Sequence, residues 1–172
     1  MQTLPTAGPK RIPPFVRDWV VSLLWLALVF NASSDAFSSA NTSRFIGPAL
    51  HWLFPALSPA KLVTVHALIR KSAHVAEYAV LAALFWRALR RTPPLASADS
   101  RGWRWWPALA TLMAAGLCAT IDEWHQTFVP SRTGSARDVA IDVAGATLAL
   151  LLLRLAFFLR RRAQPRATAV AA

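Results

Sequence analysis

Four apolar runs separated by charge constrain this chain more than any other feature, because a helix needs about 20 mostly apolar residues to cross a hydrocarbon core of roughly 30 Å. The runs fall at about 16–32, 72–89, 105–121 and 139–159. Only Arg17, Asp18 and Ser22 interrupt the first, and neither the third nor the fourth carries a central charge. A signal peptide is the rival reading of the first run: Lys10, Arg11 and Arg17 resemble a charged leader, and Asn31-Ala32-Ser33-Ser34 resembles a weak cleavage site. Retention as a crossing is the reading carried forward. With 55% hydrophobic residues, 172 residues are too apolar for an ordinary soluble domain and too few for two sizeable membrane domains. The expected fold is therefore all-α, an integral membrane four-helix bundle forming one domain over residues 16–159.

Residues 33–70 join the first two runs. They are Ser/Asn-rich at first and are then divided by Pro48, Pro55 and Pro59, which is too broken a pattern to span. A short interfacial or re-entrant helix in the first external loop is the expectation, with Lys61 to Arg70 leading helically into the second run. Residues 1–15, with Pro5, Pro9, Pro13 and Pro14, and the Arg-rich segment 160–172 are expected to be loosely ordered cytoplasmic tails.

The net charge of +11 invites a nucleic-acid reading, but the basic residues flank the apolar runs instead of lining a polar surface. Under the four-crossing topology, 13 of the 19 Lys and Arg fall on one side. The positive-inside rule then puts both termini in the cytoplasm of a multi-pass protein of the cell inner (plasma) membrane. Membrane lipids are the expected partners, and nucleic acid is not. Trp19, Trp86, Trp103, Trp105 and Trp106 sit at run ends, where indole rings anchor at headgroup level. Cys118 is the single cysteine, so no intrachain disulfide forms, and its apolar neighbours make it a packing residue.

Ionisable groups inside a membrane must pair, hydrate or act. Lys71, His74 and Tyr78 lie at i, i+3 and i+7, within about 60° of one another on a helix turning 100° per residue, and Glu77 lies just beside that face. In the third segment Asp122 and Gln126 share a face, with Glu123 and His125 directed elsewhere. In the fourth, Asp138, Asp142 and Gly145 form one stripe. Helix directions bring all three stripes to the external end, where Arg132 and Arg137 lie in the connecting loop. Asp142 sits about one turn inside its run and needs water or a partner, for which Lys71 and Arg132 are the candidates.

The blocks Arg70-Lys-Ser-Ala-His-Val-Ala-Glu-Tyr-Ala-Val-Leu and Ile121-Asp-Glu-Trp-His-Gln-Thr-Phe-Val-Pro-Ser-Arg-Thr-Gly-Ser-Ala-Arg-Asp-Val-Ala-Ile-Asp-Val-Ala-Gly resemble the two signature blocks of the VanZ-like family. The similarity spans about residues 16–159 and carries the family pattern onto Lys71, His74, Tyr78, Asp122, Glu123, Gln126, Pro130, Arg132, Asp138 and Gly145. Asp142 stands where the family usually has Asn, and Ala149 where a second small Gly is frequent. The resemblance implies membrane residence and, for the founding type, low-level resistance to the glycopeptide antibiotic teicoplanin. It implies no agreed reaction.

Three function classes follow. One binds or acts on an anionic cell-envelope component, such as a lipid-linked phosphate or cell-wall precursor, through Lys71, Arg132 and Arg137. The residues expected to meet that substrate are Lys71, His74, Tyr78, Asp122, Glu123, Gln126, Arg132, Asp138 and Asp142. The second is an enzyme with His74, Asp122 or Asp138 in general acid/base chemistry, with or without a divalent cation on Asp122, Asp138 and Asp142. A small transporter is the third, poorly supported by short segments without a mid-membrane charge. Neither a His-Glu-x-x-His motif nor a Gly-rich phosphate loop occurs, His74-x-x-Glu77 is a weak metal signal, and no cofactor is implied.

Overall fold

The computed structural model describes residues 12–34, 39–93 and 103–163. Residues 1–11 and 164–172, to which most of the expected tails belong, lie outside them. Among the described residues the chain is all-α, with five helices and no strand: α1 (Pro14–Ala32), α2 (Ser39–Leu53), α3 (Pro59–Arg91), α4 (Trp105–Gln126) and α5 (Ala136–Ala163).

Local chemistry sets the ends of these helices. Pro14 and Pro59 open α1 and α3, where a missing N–H costs nothing and the fixed φ suits a first turn. Between Pro59 and Pro93 the sequence contains neither proline nor glycine, so α3 runs for 33 residues and takes in 13 residues ahead of the apolar run that begins at 72. It stops at Thr92, which is extended (φ −75°, ψ 119°) as a residue before proline prefers. Ser135 starts α5: its hydroxyl accepts from the Arg137 N–H at 3.2 Å, and Asp138 follows in the first turn, where the helix dipole favours an acid. The segment with Pro48 forms α2 in spite of that proline, and α2 contacts α3 through Thr42 and His66.

Helix α3 is the hub and contacts all four other helices, while α4 also packs on α5. Cross-helix contacts at the two ends fix the directions. At one end Asp18 of α1 meets Arg87 and Arg91 of α3, Trp19 Nε1 donates to Thr92, and Trp86 stacks on Trp103 with Phe157 edge-on to both. At the other, the end of α1 meets α4, and α3 meets the start of α5. Helices α1 and α4 therefore run one way, and α3 and α5 the other.

Small residues fill the interior: Ala82, Ala88, Ala115, Ala119 and Ala146 are fully buried. Large apolar side chains face outward, with Leu24, Leu28 and Met113 more than 60% exposed. Close backbone approach explains the pattern, since a Cβ on Gly145 would collide with the Val75 carbonyl oxygen of α3. Two helices, α1 and α5, are long and apolar enough to cross a membrane. Only 17% and 28% of their apolar windows are buried, whereas a soluble protein's core helix is mostly buried.

Asp18 is 4% exposed and joins α1 to α3, with Oδ1 3.1 Å from Arg87 and Oδ2 2.9 Å from Arg91. Asp18→Ala is expected to cost about 1.5–3 kcal/mol, the scale of hydrogen bonds to charged groups. Thermal unfolding in detergent reads this loss. Arg87→Gln should cost less, because Arg91 still serves the carboxylate.

Candidate functional site

The polar cluster forms where α1 and α4 end and α5 begins. Helices α3 and α5 run parallel there, so residues a turn apart on each face one another as rungs. Lys71 Nζ donates to Asp138 Oδ1 at 2.5 Å, and one turn deeper His74 Nδ1 lies 3.4 Å from Asp142 Oδ1. The first rung is half exposed, while Asp142 is fully buried. Asp142 thus meets His74, and neither Lys71 nor Arg132 supplies its partner, contrary to the sequence expectation. Lys71 is engaged by Asp138, which is nearer the exposed end.

Helix α4 contributes a second network. Asp122 Oδ2 accepts from Ser33 Oγ at 2.6 Å and from Gln126 Nε2 at 3.0 Å. Gln126 Nε2 also reaches Glu123 Oε1 at 3.2 Å, and Glu123 Oε2 accepts the Ser135 N–H at 2.8 Å. Glu123 is therefore buried inside the cluster, although helix spacing alone directs it elsewhere. A side chain four residues on from Asp122 is three on from Glu123, so one amide spans both. His125 is exposed, as expected. Gly134 makes the Glu123–Ser135 contact possible, since a Cβ there would meet the Glu123 carbonyl oxygen and lie 2.6 Å from Thr127 Cγ2.

The loop arginines behave differently from each other. Arg132 donates to the carbonyl oxygens of Ala32 at 2.8 Å and Ser34 at 3.3 Å and so ties the α4–α5 loop to the end of α1. Burial, with Arg70 nearby, pushes its pKa below the ordinary guanidinium value, which still leaves it charged at neutral pH. Arg137 is exposed and makes no ion pair among the described residues.

Buried polar atoms normally find partners. Here Tyr78 Oη, Asp122 Oδ1, both Asp142 carboxylate oxygens and His74 Nδ1 have no protein hydrogen-bond partner among the described residues. All of them come from the three facing helices, and Tyr78 is fully buried.

A cavity of about 90 Å³ opens on these rungs, lined by Ala67, Arg70, Lys71, His74, Asp138 and Ile141. Arg70 was not singled out in the sequence, where it read as the residue leading into the second apolar run. Its place in the wall and the absence of an ion pair among the described residues make it the uncommitted cation of the cavity. A second cavity, about 240 Å³, lies between α1 and α3 with Glu77 set among Trp25, Leu28, Val29, Asn31 and Ala32. Asp122, Asp138 and Asp142 do not converge as a cation site. Each faces a different partner, and no group of three potential metal ligands occurs among the described residues.

Sequence reasoning also missed Ser33 and Ser135. Both are ordinary serines in loop-like sequence, and only the approach of α4 to the end of α1 and to the start of α5 gives them their roles.

Comparison with curated proteins gives no match, and comparison with solved structures gives none. A family model described as VanZ/LLP1 matches residues 18–158, which include α1 from Asp18, both polar networks and nearly all of α5. With its signature residues gathered into one cluster and the family pattern covering most of its length, the chain belongs to the VanZ/LLP1 family.

Proposed function

We propose that this chain is a multi-pass protein of the plasma membrane, with α1, α3, α4 and α5 crossing and both termini cytoplasmic, and that it binds a phosphate-bearing lipid of the cell envelope at the extracytoplasmic face. Small residues inside and large apolar residues outside support membrane residence. Packing of α1 on α3 through Asp18 supports α1 as a retained crossing. The observation that carries the binding reading is the small cavity between α3 and α5, with Arg70, Lys71 and His74 in its wall. A guanidinium and an ammonium within one helical turn suit a phosphate, because charge-assisted bonds gain strength where water is scarce. Asp138 holds Lys71 in place and yields it to an entering anion.

A specific observation favours turnover as a second reading. His74 faces the cavity on one side and the buried Asp142 on the other, an arrangement that orients an imidazole for proton transfer. Such a group can protonate a leaving oxygen or accept a proton from an attacking hydroxyl at the bound phosphate. Tolerance of teicoplanin enters the proposal through family membership alone; deleting the gene should lower the inhibitory concentration, and an unchanged value removes that part.

Purified protein in nanodiscs containing either a polyprenyl phosphate or the matching neutral polyprenol tests the binding reading. Capture should favour the phosphate, weaken with added salt and fall about tenfold or more in Arg70→Gln, on the scale of one lost charge-assisted bond. Equal capture of the two lipids would end the proposal.

A further inference from the structure

The geometry points to an amine site in the cavity between the end of α1 and α3: the carboxylate of Glu77 binds a primary ammonium group carried on the aminoethyl headgroup of a membrane phospholipid. The cavity holds about 240 Å³, and α1 supplies the rest of its wall from Trp25 to Ala32. That is smaller than the roughly 300–1,000 Å³ of pockets for drug-sized ligands and suits one small headgroup. Glu77 lies three residues, or about 60°, around α3 from His74, so it opens on α1 while Lys71 and His74 open on α5. The residues assigned above to phosphate line a different cavity.

A carboxylate at membrane depth has to pair, hydrate or act. Glu77 is half-buried and forms no ion pair among the described residues. The charged groups that act on it from nearby are His74, Arg132, Asp122 and Asp142. With Glu77 itself, three carboxylates meet one guanidinium and one imidazole, so the surroundings stay net negative whether or not His74 is protonated. Arg132 is directed to the carbonyl oxygens of Ala32 and Ser34. The balance favours a cation entering from the α1 side.

The other wall groups select among cations. Trp25 Nε1 donates to the Glu77 carbonyl oxygen at 3.0 Å, which holds the indole against α3 before a ligand arrives, and an indole attracts a cation to its face. Asn31, at an exposed position, adds an amide oxygen as a second acceptor. A primary ammonium has three N–H donors to share between carboxylate and amide, whereas a quaternary ammonium has none. Leu28 in the wall is 61% exposed and continues with Leu24 as the apolar outer face of α1, which an acyl chain covers and a soluble amine cannot use. An aminoethyl phospholipid supplies both parts in one molecule. The inference rests on membrane residence but not on the phosphate reading of the polar cluster.

The test reconstitutes the full chain in nanodiscs of equal phosphatidylethanolamine and phosphatidylcholine and measures the lipids retained after transfer to mild detergent. Both lipids carry the same phosphate and no net charge, so neither the phosphate cavity nor diffuse basic charge separates them. Phosphatidylethanolamine should be enriched several-fold, and Glu77→Gln should bring the ratio close to one. Asn31→Ala, at an exposed position, should lower the ratio part of the way and serves as the second variant should Glu77→Gln fail to fold. His125→Ala, exposed at the same end of the bundle and outside the cavity, should leave the ratio as it is. Enrichment that survives Glu77→Gln, or that His125→Ala lowers as far, overturns the proposal. Soluble ethanolamine that displaces the lipid at the lipid's own concentration would assign the cavity to a free amine and overturn the lipid source. Carbonate extraction of the same proteins reads membrane residence separately: an extractable chain overturns both this reading and the phosphate one, whereas an embedded chain without enrichment overturns only this one.

Discussion

Gly145→Ala is expected to destabilise the protein by about 1–3 kcal/mol, the usual cost of overpacking a filled interior, and Gly145→Val by more. The reason is local. A Cβ at 145 would strike the Val75 carbonyl oxygen and lie 3.0 Å from its Cα, and backbone of a packed helix cannot swing away as a side chain can. Helices α3 and α5 would have to separate, and the Lys71–Asp138 and His74–Asp142 rungs lie in the same contact zone. Loss of stability and disturbance of the site should therefore appear together. Gly116 provides the contrast within α4. Its Cβ would sit 3.6 Å from Val143 Cγ2, an ordinary contact, so Gly116→Ala should be neutral or stabilise by about 0.4–1 kcal/mol through reduced unfolded-chain entropy. Unfolding midpoints of the two alanine variants in one detergent separate these cases; equal midpoints would show that α3 and α5 do not pack as closely as described.

His74→Ala should lower turnover of a bound lipid phosphate by about 10²–10⁴-fold, the contribution typical of a positioned general acid or base, while the protein stays folded and still captures the lipid. Capture and turnover divide the roles. Arg70 is expected to govern the first and His74 the second, so Arg70→Gln should weaken binding and His74→Ala should leave it largely intact. Asp142 lies behind the imidazole and acts by positioning. Asp142→Asn, which introduces the residue usual in the family, retains a hydrogen-bonding group beside His74 and should preserve a measurable share of turnover. Asp142→Leu should lose as much as His74→Ala. If His74→Ala turns over lipid phosphate as fast as the parent protein, the acid–base reading is wrong and the cavity is a binding site only.

The polar cluster was partly legible because helical periodicity is a property of the chain itself. Lys71, His74 and Tyr78 at i, i+3 and i+7 share a face whatever surrounds them, and Asp138 and Asp142 do likewise. Which residue on one face meets which on the next depends on the relative height of two helices. Periodicity leaves that height undetermined, and so the partner of Asp142 was misassigned. Ser33, Ser135 and Arg70 carried no signal of their own, since a serine in a polar loop or an arginine at the edge of an apolar run has many unremarkable explanations.

By itself the sequence determined an all-helical chain, the family to which it belongs and the faces on which its polar residues lie, because helix propensity, proline placement and a 3.6-residue period act over a few residues at a time. Only the tertiary structure decided that Asp18 clamps α1 to Arg87 and Arg91, that Glu123 turns inward, and that Arg70 stands beside His74 in one cavity. These depend on the register between helices, which is set by small residues such as Gly145 permitting close approach over distances no local pattern can encode.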